Sequence, residues 1–416
     1  MTTSVPAGTR SQAQRRILTV LVAAQVLSGA GLAAGVAVGA LLAQDLLDST
    51  SLAGLPSAVS TAGSALAAIA VGRISHARGR RPGLAAGYLA GAVGSAGVVA
   101  AAVVGDAVLL FLALFVYGAG MATNLQARYA GADLAAPTQR ARAVSTVLVA
   151  TTLGGVVGPN LAPVTGDLAH ALGIPYLAGP FILAGAAYAM ATVVLAVWLR
   201  PDPLLLARTL DAEQQGDPSE VPRPAAGTSR SGVLAGTLVM VLTQLVMVAI
   251  MTMTPVHMQD HGHGTAASGL VIAIHIGSMY LPSPVTGWLV DRYGRLTIAA
   301  AAGLVLLAAG IVAAVAPGES VALFAVALAL LGLGWNFGVV TGTAIITDAV
   351  PLAARAKTQG TVDVSIAIAG GAGGMTSGLV VAAAGYPLLA IGGGILALAI
   401  VPVVMATARS RLPAQG

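Results

Sequence analysis

Twelve long stretches of apolar residues, separated by short polar segments, run along the chain. The apolar core of a bilayer is about 30 Å thick and takes about 20 residues of helix, so each stretch predicts a transmembrane helix. The stretches cover residues 17–43, 53–72, 84–104, 107–134, 143–163, 176–199, 233–256, 266–289, 297–316, 319–346, 361–384 and 386–408. The first begins after two arginines, as a signal peptide does, but it is too long for one, and we interpret it as a retained helix.

The composition supports a membrane protein. Hydrophobic residues make up 57% of the chain and charged residues only 8%, against about 25% charged in soluble domains. This balance excludes soluble enzymes, disordered chains and secreted disulfide scaffolds. The chain has no cysteine, which excludes disulfides, thiolate metal sites and a cysteine nucleophile.

The basic residues predict the orientation. Nineteen of the 20 arginines and lysines fall on one side of the predicted spans, and the exception is Arg128, inside the fourth. Such an excess marks cytoplasmic loops. We therefore predict a multi-pass protein of the cytoplasmic (inner) membrane with both termini in the cytoplasm. The net charge of +5 is then explained by the basic residues of the cytoplasmic loops. We therefore expect the partner of this chain to be the bilayer, not nucleic acid.

Two polar loops share a pattern at an offset of 215 residues. They are Gly72, His76, Gly79 and Arg80, and Gly287, Asp291, Gly294 and Arg295. The same offset relates three further pairs of charged residues, which are Asp133 and Asp348, Arg140 and Arg355, and Arg142 and Lys357. One shift accounts for all of them, which indicates two duplicated halves. We expect these charged residues to cap and tether helix ends.

The pattern G-x-x-x-D-x-x-G-R resembles the signature of the major facilitator superfamily, and the resemblance covers essentially the whole chain. It implies an all-α membrane protein of two pseudo-symmetric six-helix bundles that works by alternating access. We place the bundles at residues 1–199 and 232–416, with a proline-rich cytoplasmic linker at 200–231. His76 replaces the acidic residue of the first copy. Because the resemblance assigns that acid to the cytoplasmic gate, the gate could be weaker or pH-dependent in this half.

A glycine-rich segment of the fifth span has two interpretations. Gly154, Gly158 and Pro159 resemble the antiporter motif of the same superfamily, although its closing glycines are absent. The alternative, which we favour, is close helix packing with a proline bend.

Methionine and histidine concentrate in one region. Residues 240–279 hold six of the 11 methionines and four of the six histidines. Met247 and Met251 form an M-x-x-x-M pair on the seventh span, and His275 and Met279 form an H-x-x-x-M pair on the eighth. Residues four apart lie on one face of a helix. Counting about 1.5 Å per residue from the outer ends places Met247 and His275 at one depth, so the four side chains could form a ladder.

Two interpretations of this ladder remain open. Thioether and imidazole ligands favour Cu(I) over hard cations. Methionine is also a common filler of apolar cores, and a buried histidine more often makes a hydrogen bond. The paired motifs resemble those of the CcoA-like copper-importing branch of the superfamily, which implies copper as a transported substrate. A near relation in that branch is linked to riboflavin. Further donors at the mouth of the pathway are His257, Met258, Asp260, His261 and His263.

Charge inside the membrane is costly and points to function. Arg128 lies within the fourth span and Asp363 just inside the eleventh. The superfamily resemblance links an arginine at this place to proton coupling. We expect either an Arg128–Asp363 pair that closes the cytoplasmic gate in the outward-open state, or a static pair of Arg128 with Asp133.

Other functional classes fit less well. No catalytic constellation or phosphate-binding loop occurs, so we expect neither an enzyme nor a resident cofactor. We predict a secondary transporter, acting as a monomer, that takes up copper ions. The alternative is proton-coupled transport of a small organic molecule, as drug efflux or as riboflavin-like vitamin uptake. A receptor is disfavoured because no large soluble domain is present.

Overall fold

A computed structural model gives the fold and describes residues 7–47, 55–215 and 228–409. These residues form helices and connecting turns, without a strand among them. The helices are α1 (Ala7–Leu47), α2 (Leu55–Arg78), α3 (Arg80–Val104), α4 (Ala107–Ala132), α5 (Arg140–Ala171), α6 (Gly179–Trp198), α7 (Pro203–Gln215), α8 (Arg230–Asp260), α9 (Thr265–Tyr280), α10 (Ser283–Tyr293), α11 (Arg295–Val315), α12 (Val321–Ala349), α13 (Arg355–Ala397) and α14 (Ile400–Arg409).

The helices confirm the all-α membrane architecture. Within the described residues, ten helical stretches are long and apolar enough to cross a bilayer, and a bent pair within 137–171 raises the number to 11. One of the ten, Arg355–Thr407, contains 53 residues. A helix needs only about 20 residues to cross, so this stretch is long enough for both of the last two predicted spans. Gly385, whose φ is 82°, interrupts it between them.

Two local features differ from the sequence prediction. The predicted span 266–289 is present as one apolar stretch, Ala267–Tyr293, but it is interrupted between α9 and α10 at Leu281 and Pro282, since proline lacks the N–H that a helix interior needs. The predicted linker contains α7, an added helix. Asp202 caps α7 by accepting hydrogen bonds from the backbone N–H groups of Leu204 and Leu205, and the α7 side chains of Leu204 and Ala207 are buried.

The chain divides into two compact units. Unit 1 consists of Met1–Ala136, Thr146–Gly227 and Pro351–Ala367, and unit 2 of Pro137–Ser145, Thr228–Val350 and Ile368–Gly416. Each unit therefore contains a short segment from the other half of the sequence. The first residues of α13 belong to unit 1, and the first residues of α5 belong to unit 2.

The 215-residue offset recurs in the helix boundaries. Both α3 and α11 begin directly after a glycine with positive φ, at Gly79 (96°) and Gly294 (94°). This backbone region is readily open only to glycine, which explains the two glycines of the loop motif. In unit 1, α4 packs against α1, α2 and α3. In unit 2, α12 packs in the same way against α8, α9 and α11.

Candidate functional site

The glycine that opens each loop motif allows a close helix contact. A Cβ atom on Gly72 would lie 3.0 Å from the Cα of Gly360 and 3.1 Å from the carbonyl oxygen of Ala356, within unit 1. A Cβ atom on Gly287 would lie 2.6 Å from the hydroxyl of Ser145 and 2.8 Å from the carbonyl oxygen of Ala141, within unit 2. The two contacts are equivalent under the offset. Each motif therefore faces the first turns of a helix from the other half of the sequence.

The acidic position of the motif behaves differently in the two units. In unit 2, the carboxylate of Asp291 accepts hydrogen bonds from the backbone N–H groups of Ala141 (3.3 Å) and Arg142 (3.0 Å) at the start of α5. Negative charge is favourable at a helix N-terminus. In unit 1, the equivalent residue is His76, whose buried Nδ1 has no hydrogen-bond partner among the described residues.

A helix from the linker contacts this part of unit 1. The guanidinium of Arg208, on α7, donates hydrogen bonds to the carbonyl oxygens of His76 (3.1 Å), Ala353 (3.1 Å) and Leu352 (3.4 Å). Arg208 therefore connects the end of α2 to the segment that precedes α13. Arg208 was not predicted as a functional residue, because the proline-rich linker conceals the helix start at Asp202 and Pro203.

Two charged triads follow the offset. In unit 1, Arg80 and Arg355 contact Asp133, with Arg80 Nε 2.7 Å from Oδ2 and Arg355 Nη1 3.6 Å from Oδ1. In unit 2, Arg295 and Arg140 contact Asp348, with Arg295 Nε 2.8 Å from Oδ2. The side chains of the first pair, Arg80 and Asp133, are 1% and 0% exposed, whereas Asp348 is 26% exposed. The two triads connect the loop motifs to the ends of α4 and α12.

Arg128 pairs with Asp363 in unit 1. Its Nη2 atom lies 2.8 Å from Asp363 Oδ1, and the two side chains are 0% and 4% exposed. The hydroxyl of Tyr129 donates a 3.0 Å hydrogen bond to the same carboxylate oxygen. The guanidinium also lies over the Tyr129 ring, 4.2 Å from its centre. Of the two predicted pairings, Arg128 with Asp363 is the one that the structure contains, while Asp133 is held by Arg80 and Arg355.

The fifth-span motif lies in a tight helix contact. A Cβ atom on Gly154 would lie 2.0 Å from the carbonyl oxygen of Val26 and 2.6 Å from the backbone nitrogen of Ala30, both on α1. The chain bends by 51° between Gly155 and Asn160, the segment that contains Gly158 and Pro159. Close packing accounts for Gly154 without a substrate role.

The four ladder residues lie in unit 2 with different degrees of burial. His275, Met247 and Met279 are 0%, 4% and 8% exposed, and Met251 is half-buried. Another methionine, Met240, is buried on the face of α8 that contacts α12. Met240 fills the space left by Gly342, where an added Cβ would lie 2.2 Å from its Cγ.

The contacts of α8 and α9 with α12 define the level of each ladder residue. Along α12, Gly342 contacts Met240 and Gly338 contacts Thr243 on α8. Continuing at this antiparallel register puts Met247 at the level of Gly334 and Met251 about one turn further, at the level of Leu330. Gly332 contacts the backbone of α9 between His275 and Met279. Met247 is therefore level with Met279 and Met251 with His275, one turn from the depths that residue counting predicts.

The two ring nitrogens of His275 differ in their hydrogen bonding. Nδ1 is 2.8 Å from the carbonyl oxygen of Leu328 on α12. Because a carbonyl only accepts hydrogen bonds, Nδ1 carries the proton and Nε2 carries the lone pair. Nε2 is buried and has no hydrogen-bond partner among the described residues. Metal-binding histidines commonly hold their second nitrogen on a carbonyl in this way.

The predicted mouth residues lie at and beyond the end of α8. His257 and His263 are half-buried, Asp260 and His261 are exposed, and Met258 is buried. The imidazole rings of His257 and His261 are 4.3 Å apart. Over the described part of the chain, no group of three or more histidine, aspartate and glutamate side chains is placed to hold a metal ion.

A polar and aromatic group in unit 2 was not identified as a site from the sequence. Trp335 Nε1, on α12, donates a 2.8 Å hydrogen bond to Gln244 Oε1 on α8. The ring of Tyr280, on α9, meets the Trp335 ring edge-on at 5.6 Å. Gln244 and Tyr280 are half-buried. Such a combination of aromatic faces and an amide is typical of sites for organic ligands.

Comparisons with known proteins agree on the family. The model of the Major Facilitator Superfamily matches residues 20–298 and 237–415. The chain is 57% identical over 393 residues to the "Uncharacterized MFS-type transporter YdeG" of Bacillus subtilis, covering 94% of this chain and 91% of that protein. It is 33% identical over 364 residues to the "Riboflavin transporter RfnT" of Brucella anthropi, covering 85% and 86%.

Solved structures share the fold at low sequence identity. The human organic anion transporter MFSD10 is 16% identical with a TM-score of 0.75, over 94% of this chain and 99% of that one. The proton:xylose symporter XylE is also 16% identical, with a TM-score of 0.74 over 95% and 96%. At this identity the likeness concerns the fold alone.

Proposed function

This chain belongs to the Major Facilitator Superfamily, and from this premise we propose that it is a secondary transporter that takes up copper ions by alternating access. Copper is the cargo, and the carrier needs no resident cofactor and performs no chemical conversion. Both termini and the linker would face the cytoplasm, as the distribution of basic residues predicts.

One observation carries the choice of copper. His275 holds its Nδ1 on the Leu328 carbonyl and leaves a buried, unpartnered Nε2. An apolar protein interior rarely leaves such an acceptor unsatisfied, and a transported cation would satisfy it. The register on α12 adds Met251 at the level of His275, with Met247 and Met279 one turn away. Thioether and imidazole donors favour Cu(I).

The donor set also suits release. Without cysteine, the chain offers Cu(I) no thiolate, the strongest soft ligand in proteins. Neutral thioether and imidazole groups leave the ion free to exchange between successive levels of the ladder. A carrier requires this, since a site that holds its cargo too tightly cannot release it on the other side.

Copper accumulation in copper-limited cells tests this proposal. Expression of the chain should raise cellular copper when the medium keeps copper reduced. The variants Met247→Leu and His275→Asn should lower uptake by about tenfold or more, because each removes a ligand atom. Leucine preserves the volume of methionine, and the asparagine amide can still donate to the Leu328 carbonyl.

Met240→Leu is the matched control. It makes the same chemical change on the same face of α8, at a methionine that packs against Gly342. Copper uptake by this variant should equal that of the wild type. If the Met247→Leu and His275→Asn variants also took up copper at the wild-type rate, the proposal would be contradicted.

Uptake of a flat organic molecule is the second candidate. Support comes from RfnT, whose name describes a riboflavin transporter, and from the Gln244–Trp335 bond with the adjacent Tyr280 ring. These groups offer aromatic faces and an amide to a heteroaromatic ring. In a riboflavin-requiring strain, growth at low riboflavin should then depend on Gln244 and Tyr280 and be unaffected by His275→Asn. That outcome, without copper uptake, would favour this candidate over copper.

The buried Arg128–Asp363 pair is the gating and coupling element in either case. It joins α4 to the first turns of α13, and Asp363 Oδ2 has no hydrogen-bond partner among the described residues. A proton bound at this carboxylate would remove its charge and release Arg128. Asp133 and Asp348 would act as the structural centres of the two triads, holding helix ends during the change.

A further inference from the structure

Two histidines at the end of α8 are arranged as a chelating pair. His257 and His261 are four residues apart, so they project from the same face of the helix end. Their ring centres are 4.3 Å apart. Histidines at this spacing on a helix are a common way to bind one borderline divalent cation such as Zn²⁺, Cu²⁺ or Ni²⁺.

The hydrogen bonds of His261 set its tautomer. Its Nδ1 lies 2.8 Å from the carbonyl oxygen of His257, one of the carbonyl groups that lack a partner at a helix C-terminus. Since the carbonyl only accepts, Nδ1 carries the proton and the lone pair is on Nε2. The helix end therefore orients His261 with its ligand atom free.

The ring of His257 is also held in place. It stacks on Tyr386, with ring centres 4.4 Å apart and planes inclined by 14°, and it meets the edge of Phe324 at 5.6 Å. Tyr386 is itself fixed by a 2.8 Å hydrogen bond between its hydroxyl and that of Thr254. Neither ring nitrogen of His257 is hydrogen-bonded to another described residue, so its ring is oriented by stacking alone.

Gly318 packs directly against the imidazole of His261. A Cβ atom on Gly318 would lie 2.0 Å from Cδ2 and 2.7 Å from Nε2 of His261, so any side chain at this position would occupy the space beside Nε2. The Gly318 carbonyl is fixed by a 2.8 Å hydrogen bond with His263 Nε2. The loop before α12 is thus held against the His261 ring, with no room for a side chain at position 318.

We propose that His257 and His261 bind one Zn²⁺ or Cu²⁺ ion at the end of α8, with water completing the coordination shell. This site is separate from the ladder, where His275 is fully buried and presents its own nitrogen to the interior. The inference does not depend on which substrate the protein transports. It assigns to this end of α8 a divalent-ion site whose two protein ligands are imidazole nitrogens.

Purified full-length protein in detergent provides the test, with Zn²⁺ titration for affinity and electron paramagnetic resonance of one equivalent of Cu²⁺ for ligand identity. The wild type should show two coordinated imidazole nitrogens. His257→Ala and His261→Asn should show one and bind Zn²⁺ about tenfold or more weakly. Asparagine at 261 can still donate to the His257 carbonyl, so that the helix end stays capped.

Three controls separate this site from other effects. Gly318→Ala should weaken Zn²⁺ binding while both histidines remain, whereas Gly264→Ala, where no atom lies within 4 Å of an added Cβ, should not. His170→Gln changes an exposed histidine at the end of α5 and should have no effect. His275→Asn should leave the spectrum unchanged, even if it abolishes copper uptake. Wild-type affinity in the His257, His261 or Gly318 variant would overturn the proposal.

Discussion

Arg128 donates a 2.8 Å hydrogen bond to Asp363, although 235 residues separate them along the chain. The single variant Arg128→Met should lower the free energy of unfolding by about 3–5 kcal/mol, because it leaves a buried carboxylate unpaired. Adding Asp363→Leu should restore most of that stability, since replacing a buried pair by apolar groups is often neutral. Thermal unfolding of the purified variants measures both effects.

Transport should respond differently from stability. If the pair opens and closes in each cycle, the stable double variant should still transport poorly, because it lacks the charges that release and re-form. The charge-swapped variant Arg128→Asp with Asp363→Arg should recover part of the uptake lost in each single variant. A static pair would instead give normal transport wherever stability is normal.

Tight packing at the fifth-span motif predicts contrasting effects of adjacent glycines. Gly154→Ala would place a methyl group 2.0 Å from the carbonyl oxygen of Val26, which should cost about 1–3 kcal/mol in stability. Gly155→Ala meets no atom within 4 Å and should be neutral or slightly stabilising, since alanine favours a helix. Equal unfolding temperatures for the two variants would contradict the packing interpretation.

The difference between the two loop motifs predicts a stabilising substitution. Asp291 caps the start of α5, while its equivalent, His76, contributes no carboxylate to the start of α13. His76→Asp should therefore stabilise the protein by about 0.5–2 kcal/mol, the usual value of a helix cap. A higher unfolding temperature in His76→Asp than in His76→Asn would support this account, because only the former adds negative charge.

Arg208 predicts a change in local accessibility. Its guanidinium bonds to three carbonyl groups at the end of α2 and before α13, so Arg208→Ala should loosen Leu352 and Ala353. The chain contains no cysteine, and Leu352→Cys therefore provides a single labelling position. A maleimide should react with this cysteine several-fold faster when Arg208 is absent. Thr209→Ala, an exposed change on the same helix, should leave the rate unaltered.

The sequence predicted some of these relationships and not others. The 215-residue offset identified the charged residues of both triads, because equivalent loops keep equivalent side chains. It did not predict which helix each arginine contacts. Arg355 follows Asp348 closely in the chain, yet it contacts Asp133. Which aspartate Arg355 contacts is determined by tertiary packing and not by distance along the chain.

Two further features, the helix α7 and the depth of Met247, depend on local contacts and could not be predicted from composition. The segment around α7 has the proline content of a flexible linker, but Asp202 and Pro203 together form a good helix start. The predicted depth of Met247 relative to His275 rested on the assumption that the outer ends of α8 and α9 lie at one level. The contacts of Gly338 and Gly342 with α8 fix the position of α8 along α12. They shift Met247 by one turn relative to His275 from the predicted depth.

Each triad takes two residues from one repeat and its second arginine from the other. A chain with a single copy of the repeat would have Arg80 and Asp133 but no residue in the place of Arg355. It could complete a triad only with an arginine from another molecule of the same kind. The geometry of the triads therefore has a historical consequence. An unduplicated ancestor with these contacts would need a second subunit to complete them, and fusion of two copies would turn a contact between subunits into one within a single chain.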